Sequence, residues 1–229
     1  MANGDTLTDH IETIVWQLAK PSQEQLQNLQ EKLDYITPQK YHELADQMRE
    51  KRQDITTEEA EKIVDINLSK AVTARLINML NNERAYYGRS LINDYLRQDG
   101  YFESWAPRAV EAPQVKHARP SDRAFGMKLV MSIDKDGEKL YYGSNTEEIS
   151  TNFISFDNTI TQDNYEDLVD TIVDKIWAAL IESERDKAFT RDGGHYTHLA
   201  ITGRNVAADT MLIKAGDGSY YYSTVITTA

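Results

Sequence analysis

The fold of this 229-residue chain is decided by the stretch APRAVEAPQVKHARPSDR, residues 106–123, which holds three of the five prolines. Proline fixes its own φ, lacks a backbone N–H and disfavours helix in the residue before it, so neither a helix nor a central strand should cross this stretch. The apolar pattern is helical before the stretch and alternating after it. We therefore predict an α+β protein with a helical region 1–105, a proline-rich basic linker or arm 106–123, and an acidic α+β domain 124–229.

Capping signals divide the helical region. Ser22 is followed three residues later by Gln25, a capping box in which each side chain can satisfy the other residue's free backbone N–H. Thr37 and Pro38 suit the N-cap and the first position of the next helix. The short connections favour an antiparallel bundle, and the lack of a sustained seven-residue repeat argues against a coiled coil. The three short predicted helices carry apolar stripes at 7–18, 26–36 and 41–48.

A fourth and longer helix is predicted after a second capping box, formed by Thr56 and Glu59. Its apolar residues begin at Ile63 and Val64 and continue at helical spacing to Leu80. The following segment, 81–96, keeps helical spacing and either extends this helix or breaks it near Gly88.

The C-terminal region alternates between strand and helix patterns. Residues 125–133 have a period of two and predict a strand, joined by the turn 134–137 to a returning strand at 139–142. Asp134, Asp136 and Glu138 resemble the start of a calcium loop, but the twelfth position is Asn145, so a hairpin turn is favoured. Later elements are a short strand at 152–156 or a loop, a helix opened by an Asp163–Glu166 capping box, and strands at 196–202, 210–214 and 219–227. The predicted order is ββαβββ, as a mainly antiparallel sheet with one packed helix.

Composition excludes several classes of function. The chain has no cysteine, so a disulfide framework, a thiol nucleophile and cysteine-ligated metal are excluded. The net charge is −12, and only the segment 100–124 has more basic than acidic residues, which argues against direct nucleic-acid binding. Neither a secretory signal nor an apolar run of spanning length is visible, so we expect a cytoplasmic or virion protein without a membrane partner.

Three groups of residues are candidate interface residues. Asp163, Asp167, Asp170 and Asp174 form one acidic stripe on the predicted helix; a solvated face is the favoured interpretation, and docking of a basic partner is the alternative. Tyr220 and Tyr222 share one face of a predicted strand, where they either anchor an interface or cover the core. The third group lies in the linker and comprises Arg108, Lys116 and Arg119.

No catalytic, cofactor-binding or metal-binding residues are assigned. His195 and His198 would lie on opposite faces of a strand, whereas a helix would align them; Gly193-Gly194 favours a loop leading to a strand. Asp192 nearby could complete a metal or acid–base cluster, and a surface loop is the favoured interpretation. The glycine-rich spots at 192–194 and 216–218 lack phosphate-binding motifs and are interpreted as turns.

These observations favour a non-enzymatic structural or assembly protein that acts through protein–protein contacts and forms a homo-oligomer. Its cysteine-free composition, with a C-terminal half rich in Tyr, Thr and Asn, suggests a phage head–tail or tail component. An acidic inhibitor or immunity-type protein that binds a basic surface is the first alternative. An enzyme with a dispersed site near His195 and His198 is the second.

Overall fold

The computed structural model describes residues 20–51, 62–92, 146–156, 159–203 and 206–228. Its main elements are α1 (Gln23–Tyr35), α2 (Pro38–Lys51), α3 (Ile66–Tyr86), β1 (Thr146–Ile154), α4 (Tyr165–Trp177), β2 (Val206–Lys214) and β3 (Tyr220–Thr228). Short helical turns connect α4 to β2: Ala178–Glu182, Arg185–Lys187, Arg191–Gly193, Gly194–Tyr196 and Thr197–Thr202. The predicted α+β class is confirmed. The predicted helix over 7–18, the Thr56–Glu59 box, the linker 106–123 with Arg108, Lys116 and Arg119, and the hairpin 125–142 lie outside the described residues and stay predictions.

The predicted starts of α1 and α2 are confirmed. The Ser22 hydroxyl accepts from the Gln25 backbone N–H at 3.1 Å, and the Gln25 side chain accepts from the Ser22 N–H at 2.8 Å. The Thr37 hydroxyl accepts from the Lys40 N–H at 3.1 Å, with Pro38 as the first helical residue. These caps involve residues three apart, so the local sequence is enough to specify them.

Helix α3 begins later than predicted. Asp65 is its N-cap, and the Asp65 carboxylate accepts from the Leu68 N–H at 2.7 Å. Ile63 and Val64 therefore precede the helix instead of belonging to it, although both are fully buried. At the other end the helix continues to Tyr86 and Gly88 has a φ of 63°, so of the two alternatives for residues 81–96 the structure shows the break near Gly88.

The three described strands form one antiparallel sheet in the order β1-β3-β2. The turn at Gly216-Asp217-Gly218 joins β2 to β3 as predicted, with Gly218 at a φ of 88°. Each strand is longer than its predicted counterpart or shifted from it by a few residues. The antiparallel character of the sheet is confirmed in the part of the chain that the structure describes.

Two elements after β1 differ from prediction. Residues 196–202 are helical, so the predicted strand there is wrong. Helix α4 has Asn164 as its N-cap without a side-chain cap, so the predicted Asp163–Glu166 capping box is also wrong. Asp163 instead pairs with Lys20 at 3.0 Å, and Glu166 pairs with Arg75 at 2.8 Å.

Both faces of the sheet are covered by helices. On one face, α1, α3, α4 and the helical segment 194–202 bury an apolar core with residues of all three strands. The predicted apolar stripe of α4 lies in this core. On the other face, residues around α2 and before α3 cover a smaller core; its buried members are Ile36, Tyr41, Leu44, Ile63, Val64, Met211, Ile213 and Val225. Helices from the first half of the chain thus share both cores with strands from the second half.

Helix α3 also satisfies the outer edge of β2. The Thr73 hydroxyl accepts from the Ala208 N–H at 2.9 Å and donates to the Ala208 carbonyl at 3.3 Å. One helical turn earlier, the Ser69 hydroxyl makes the same two bonds with Thr210, at 2.9 and 3.4 Å. We call Ser69 and Thr73 the hydroxyl seam. Its four bonds supply partners for backbone groups that an edge strand otherwise leaves unpaired.

Asp209 is an exception within this well-satisfied strand. Its side chain is buried, and neither carboxyl oxygen has a hydrogen-bond partner among the described residues. Burial raises the pKa of Asp209 well above its usual range, because desolvation penalises the charged form. The carboxyl group is therefore most stable in its protonated form.

Candidate functional site: a strained aromatic turn held by a glutamate–histidine cluster

Phe189 is the most unusual residue between α4 and β2. Its backbone has a φ of 62°, the one positive φ at a non-glycine residue in the described part of the chain. A bulky side chain in this left-handed region is sterically disfavoured, at about 1–2 kcal/mol. The aromatic ring is nevertheless 73% exposed, so it gains little from burial. The free-energy cost of the strained backbone is therefore not offset by burial of the ring.

Local hydrogen bonds hold this turn in place. The Phe189 N–H donates to the Thr197 hydroxyl at 2.8 Å, and that hydroxyl donates to the Gly193 carbonyl at 2.8 Å. The Thr190 hydroxyl donates to the Lys187 carbonyl at 2.6 Å. A Cβ on Gly193 would collide with the same Lys187 carbonyl oxygen, so glycine is required at this close approach. Strain persists where the surroundings determine the conformation in this way.

A cluster of two glutamates and two histidines connects the turn to the sheet. Glu184 accepts from the backbone N–H groups of His195 and Tyr196 at 2.9 and 3.3 Å, which are free donors at the start of a helical segment. Its other oxygen lies 2.5 Å from His195 Nδ1. This carboxylate explains why residues 196–202 start a helix, although their local pattern predicts a strand.

Glu148 of β1 brings the two histidines together. Its oxygens lie 3.2 Å from His195 Nε2 and 2.8 Å from His198 Nδ1, and its side chain is 4% exposed. Because the segment is helical, the three-residue offset places both imidazoles on one side. We call Glu148, Glu184, His195 and His198 the Glu–His cluster. Both ring nitrogens of His195 face carboxylates, so this ring bridges β1 to the turn.

A second ion pair joins the turn to α3. Arg185 donates to both oxygens of Glu83, at 2.9 and 3.2 Å, and the Tyr196 hydroxyl donates to Glu83 at 2.9 Å. Burial, together with the bond to Glu83, raises the pKa of Tyr196, against an opposing bond from Arg89. The turn is thus tied to β1 through Glu148 and to α3 through Glu83.

More exposed aromatic side chains lie at the end of α3. Tyr86 is 83% exposed and Tyr87 is 47% exposed, and their ring centroids lie 4.9 Å apart. The Arg89 guanidinium lies 4.9 Å from the Tyr87 ring and 5.9 Å from the Tyr196 ring. Tyr196 is the sequence neighbour of Thr197, whose hydroxyl accepts from the Phe189 N–H. We give the name aromatic surface to the four residues that this route connects: Tyr86, Tyr87, Arg89 and Phe189.

The structure treats the predicted interface residues differently. In the acidic stripe, Asp163 pairs with Lys20 and Asp170 with Arg75, while Asp167 and Asp174 are exposed and form no ion pair with a described side chain. Tyr220 and Tyr222 are 1% and 0% exposed, so they cover the core and are not available to a partner. The Tyr222 hydroxyl instead lies 2.9 Å from the Ser150 hydroxyl.

The structure corrects the predicted surroundings of His195 and His198. His195 and His198 meet at Glu148, as the helical alternative required, but Asp192 is exposed and is replaced in the cluster by Glu148 and Glu184. No group of three or more His, Asp or Glu side chains suited to a metal ion occurs in the described ranges. Sequence reasoning missed Phe189, whose conformation depends on contacts with Thr197 and across the turn from Lys187 to Gly193, and Glu148, which contacts histidines far along the chain.

Within the described ranges, no helix combines the length and apolar character needed to cross a bilayer. Protein-family models, curated proteins and solved structures give no match to this chain.

Proposed function

We propose that this protein is a non-enzymatic structural or assembly protein that acts through protein–protein contacts and forms a homo-oligomer. The observation that carries the proposal is Phe189, an exposed aromatic ring on a strained backbone. Strain that the surroundings maintain is common at binding sites, where it fixes a side chain in its bound position. A ring held in this way loses little conformational entropy on binding.

The composition of the aromatic surface supports the same function. Tyrosine, phenylalanine and arginine are enriched in protein interfaces, and a few such residues carry most of the binding free energy. The aromatic surface combines these three types: Tyr86, Tyr87, Arg89 and Phe189. Its support from the Glu–His cluster and from Glu83 is typical of a binding surface on a rigid scaffold.

The biological setting that we propose is a virion, with a phage head–tail or tail component as the specific case; a cytoplasmic setting is the other. Composition alone supports the virion setting. The net charge of −12 supports protein partners over nucleic acid, because an acidic surface repels phosphates. We also propose that a basic arm contacts an acidic surface through Arg108, Lys116 and Arg119.

The test is the mass of the full-length chain in solution over a wide concentration range. We expect an oligomer that Phe189→Ser dissociates. Phe153→Ser is the matched control, because Phe153 is 62% exposed but lies in β1 with an ordinary strand conformation. A wild-type chain that stays monomeric at high concentration would count decisively against the homo-oligomer.

The Glu–His cluster gives the second candidate function, an enzyme with a dispersed acid–base site. The favouring observation is that Glu148, which is buried, orients two partly exposed imidazoles. Against it, both nitrogens of His195 already bridge carboxylates. The test is turnover of a panel of ester and phosphoester substrates by wild type and by Glu148→Gln. Turnover by wild type that Glu148→Gln abolishes would favour the enzyme.

The acidic inhibitor is less supported than either. Lys20 pairs with Asp163, and Arg75 pairs with both Glu166 and Asp170, which leaves Asp167 and Asp174 as the carboxylates of the stripe without an ion pair among the described side chains. A basic partner that binds by charge should dissociate steeply as ionic strength rises.

A further inference from the structure

The turn that carries Phe189 is close to electrically neutral, although the whole chain has a net charge of −12. Arg185 is paired with Glu83, and Glu184 faces His195. The remaining charges of the turn are two acidic and two basic side chains, all exposed: Asp186, Lys187, Arg191 and Asp192. None of these four forms an ion pair with another side chain in the described ranges.

This pattern suits contact between identical surfaces. Two copies that each carry −12 repel one another except where the local charge is near zero. In a two-fold symmetric contact the same patch lies on both sides, so a patch must be complementary to itself. A patch that carries both signs meets that condition, because Lys187 and Arg191 of one copy can face the aspartates of the other.

We propose that the partner of the aromatic surface is a second copy of this chain, docked through the same surface in a two-fold symmetric dimer. Phe189 of each copy lies near the two-fold axis, and the two acidic and two basic side chains of the turn set the register. This inference rests on the proposed function and adds the partner, the symmetry and the charge pairs. Aromatic anchors ringed by charged side chains are the usual anatomy of such an interface.

The test uses two charge variants of the full-length chain. Lys187→Glu with Arg191→Glu makes the patch entirely acidic, and Asp186→Lys with Asp192→Lys makes it entirely basic. Each variant alone should self-associate at least tenfold more weakly than wild type, because like charges then face each other. An equimolar mixture of the two should form a heterodimer with an affinity within about threefold of the wild-type dimer.

Two controls complete the design. The four substituted residues are exposed, so the thermal midpoints of both variants should match that of wild type. Adding Phe189→Ser to both variants should weaken the heterodimer about thirtyfold, as expected for the loss of a central anchor.

The outcomes separate the two proposals. If wild type is oligomeric but the mixture of charge variants does not associate, the two-fold contact through this turn is wrong and the assembly function stands. If wild type is a monomer at every concentration, the assembly function itself fails. If each charge variant alone loses self-association and the equimolar mixture regains association, the two-fold contact is supported.

Discussion

Helix α3 and the helical segment 194–202 are both fastened to the sheet by polar side chains, but by different chemistry. The hydroxyl seam of Ser69 and Thr73 is neutral and buried, and it matches backbone groups of β2 one for one. The Glu–His cluster is charged, and its histidines are 35% and 39% exposed. The first attachment completes the core, whereas the second holds a turn that presents an exposed ring.

The comparison indicates that the hydroxyl seam serves mainly the stability of the fold, whereas the Glu–His cluster serves the turn that carries the proposed interface. Neutral hydroxyl bonds inside an apolar core add stability without strain, because the hydroxyls of Ser69 and Thr73 and the β2 backbone groups that they bond all have partners. The turn at Phe189 is less favourable by itself and needs the cluster to hold it. We therefore expect substitutions in the two regions to differ in their effects on the free energy of unfolding and on self-association.

The largest effect is expected at the charged attachment. Glu148→Ala removes a buried carboxylate that faces two imidazoles, and should lower the free energy of unfolding by about 2–4 kcal/mol. Urea denaturation gives the value. Glu182→Ala, at an exposed position on the preceding helical turn, is the control and should change stability by less than about 0.5 kcal/mol. Equal effects of both variants would mean that the Glu–His cluster does not fasten the turn.

A slightly smaller effect is expected at the neutral attachment. Thr73→Val keeps the shape of the side chain but leaves the Ala208 N–H and carbonyl without their partner, at a cost of about 1–3 kcal/mol. Thr171→Val is the matched control, because the Thr171 hydroxyl bonds only to a carbonyl of its own helix. If both valine variants unfold at the same urea concentration, the hydroxyl seam does not contribute to stability.

The buried Asp209 in β2 makes the free energy of unfolding depend on pH. Burial raises its pKa in the folded state, so between the ordinary aspartate pKa of about 3.9 and the raised value the folded chain binds more protons than the unfolded chain. Its contribution to stability is therefore lost as pH rises through this window. Asp209→Asn should be more stable than wild type at pH 7, by on the order of 1 kcal/mol, and this advantage should disappear near pH 4. Denaturation midpoints at several pH values test the sign; an advantage that grows as pH falls would contradict it.

The smallest effect on stability is expected at Phe189. Glycine tolerates a φ of 62°, so Phe189→Gly relieves the strained backbone and should leave stability unchanged or raise it by about 1 kcal/mol. Self-association should nevertheless be lost. Phe153→Gly lies in β1 and should destabilise the fold instead. Retained self-association in Phe189→Gly would remove the ring from the proposed interface.

The elements that were predicted correctly depend on neighbours in the sequence. The caps at Ser22 and Thr37 and the turn 216–218 all involve residues within four positions. The alternation around Tyr220 and Tyr222 correctly placed both rings on one face. Which face is buried depends on how α1, α3 and α4 pack against the sheet, and the alternating pattern of the strand does not predict that packing.

The site could not be predicted because it depends on contacts between residues that are not neighbours in the sequence. The helical start at His195 needs the Glu184 carboxylate, eleven residues earlier, and the pairing of the histidines needs Glu148 in another element. The positive φ of Phe189 has no signal in its own sequence, since phenylalanine disfavours it. It follows from the Thr197 hydroxyl and the close approach of Gly193 to Lys187.

The hydroxyl seam has a further consequence, for misassembly. An open strand edge can recruit strands from any neighbouring chain, and this kind of growth has no natural end point. Ser69 and Thr73 block part of that route along β2. For a protein that we propose meets its own copies, blocking one edge steers encounters away from sheet growth and towards a contact of defined stoichiometry. Substitutions in this seam should therefore reveal aggregation before they reveal any defect in the aromatic surface.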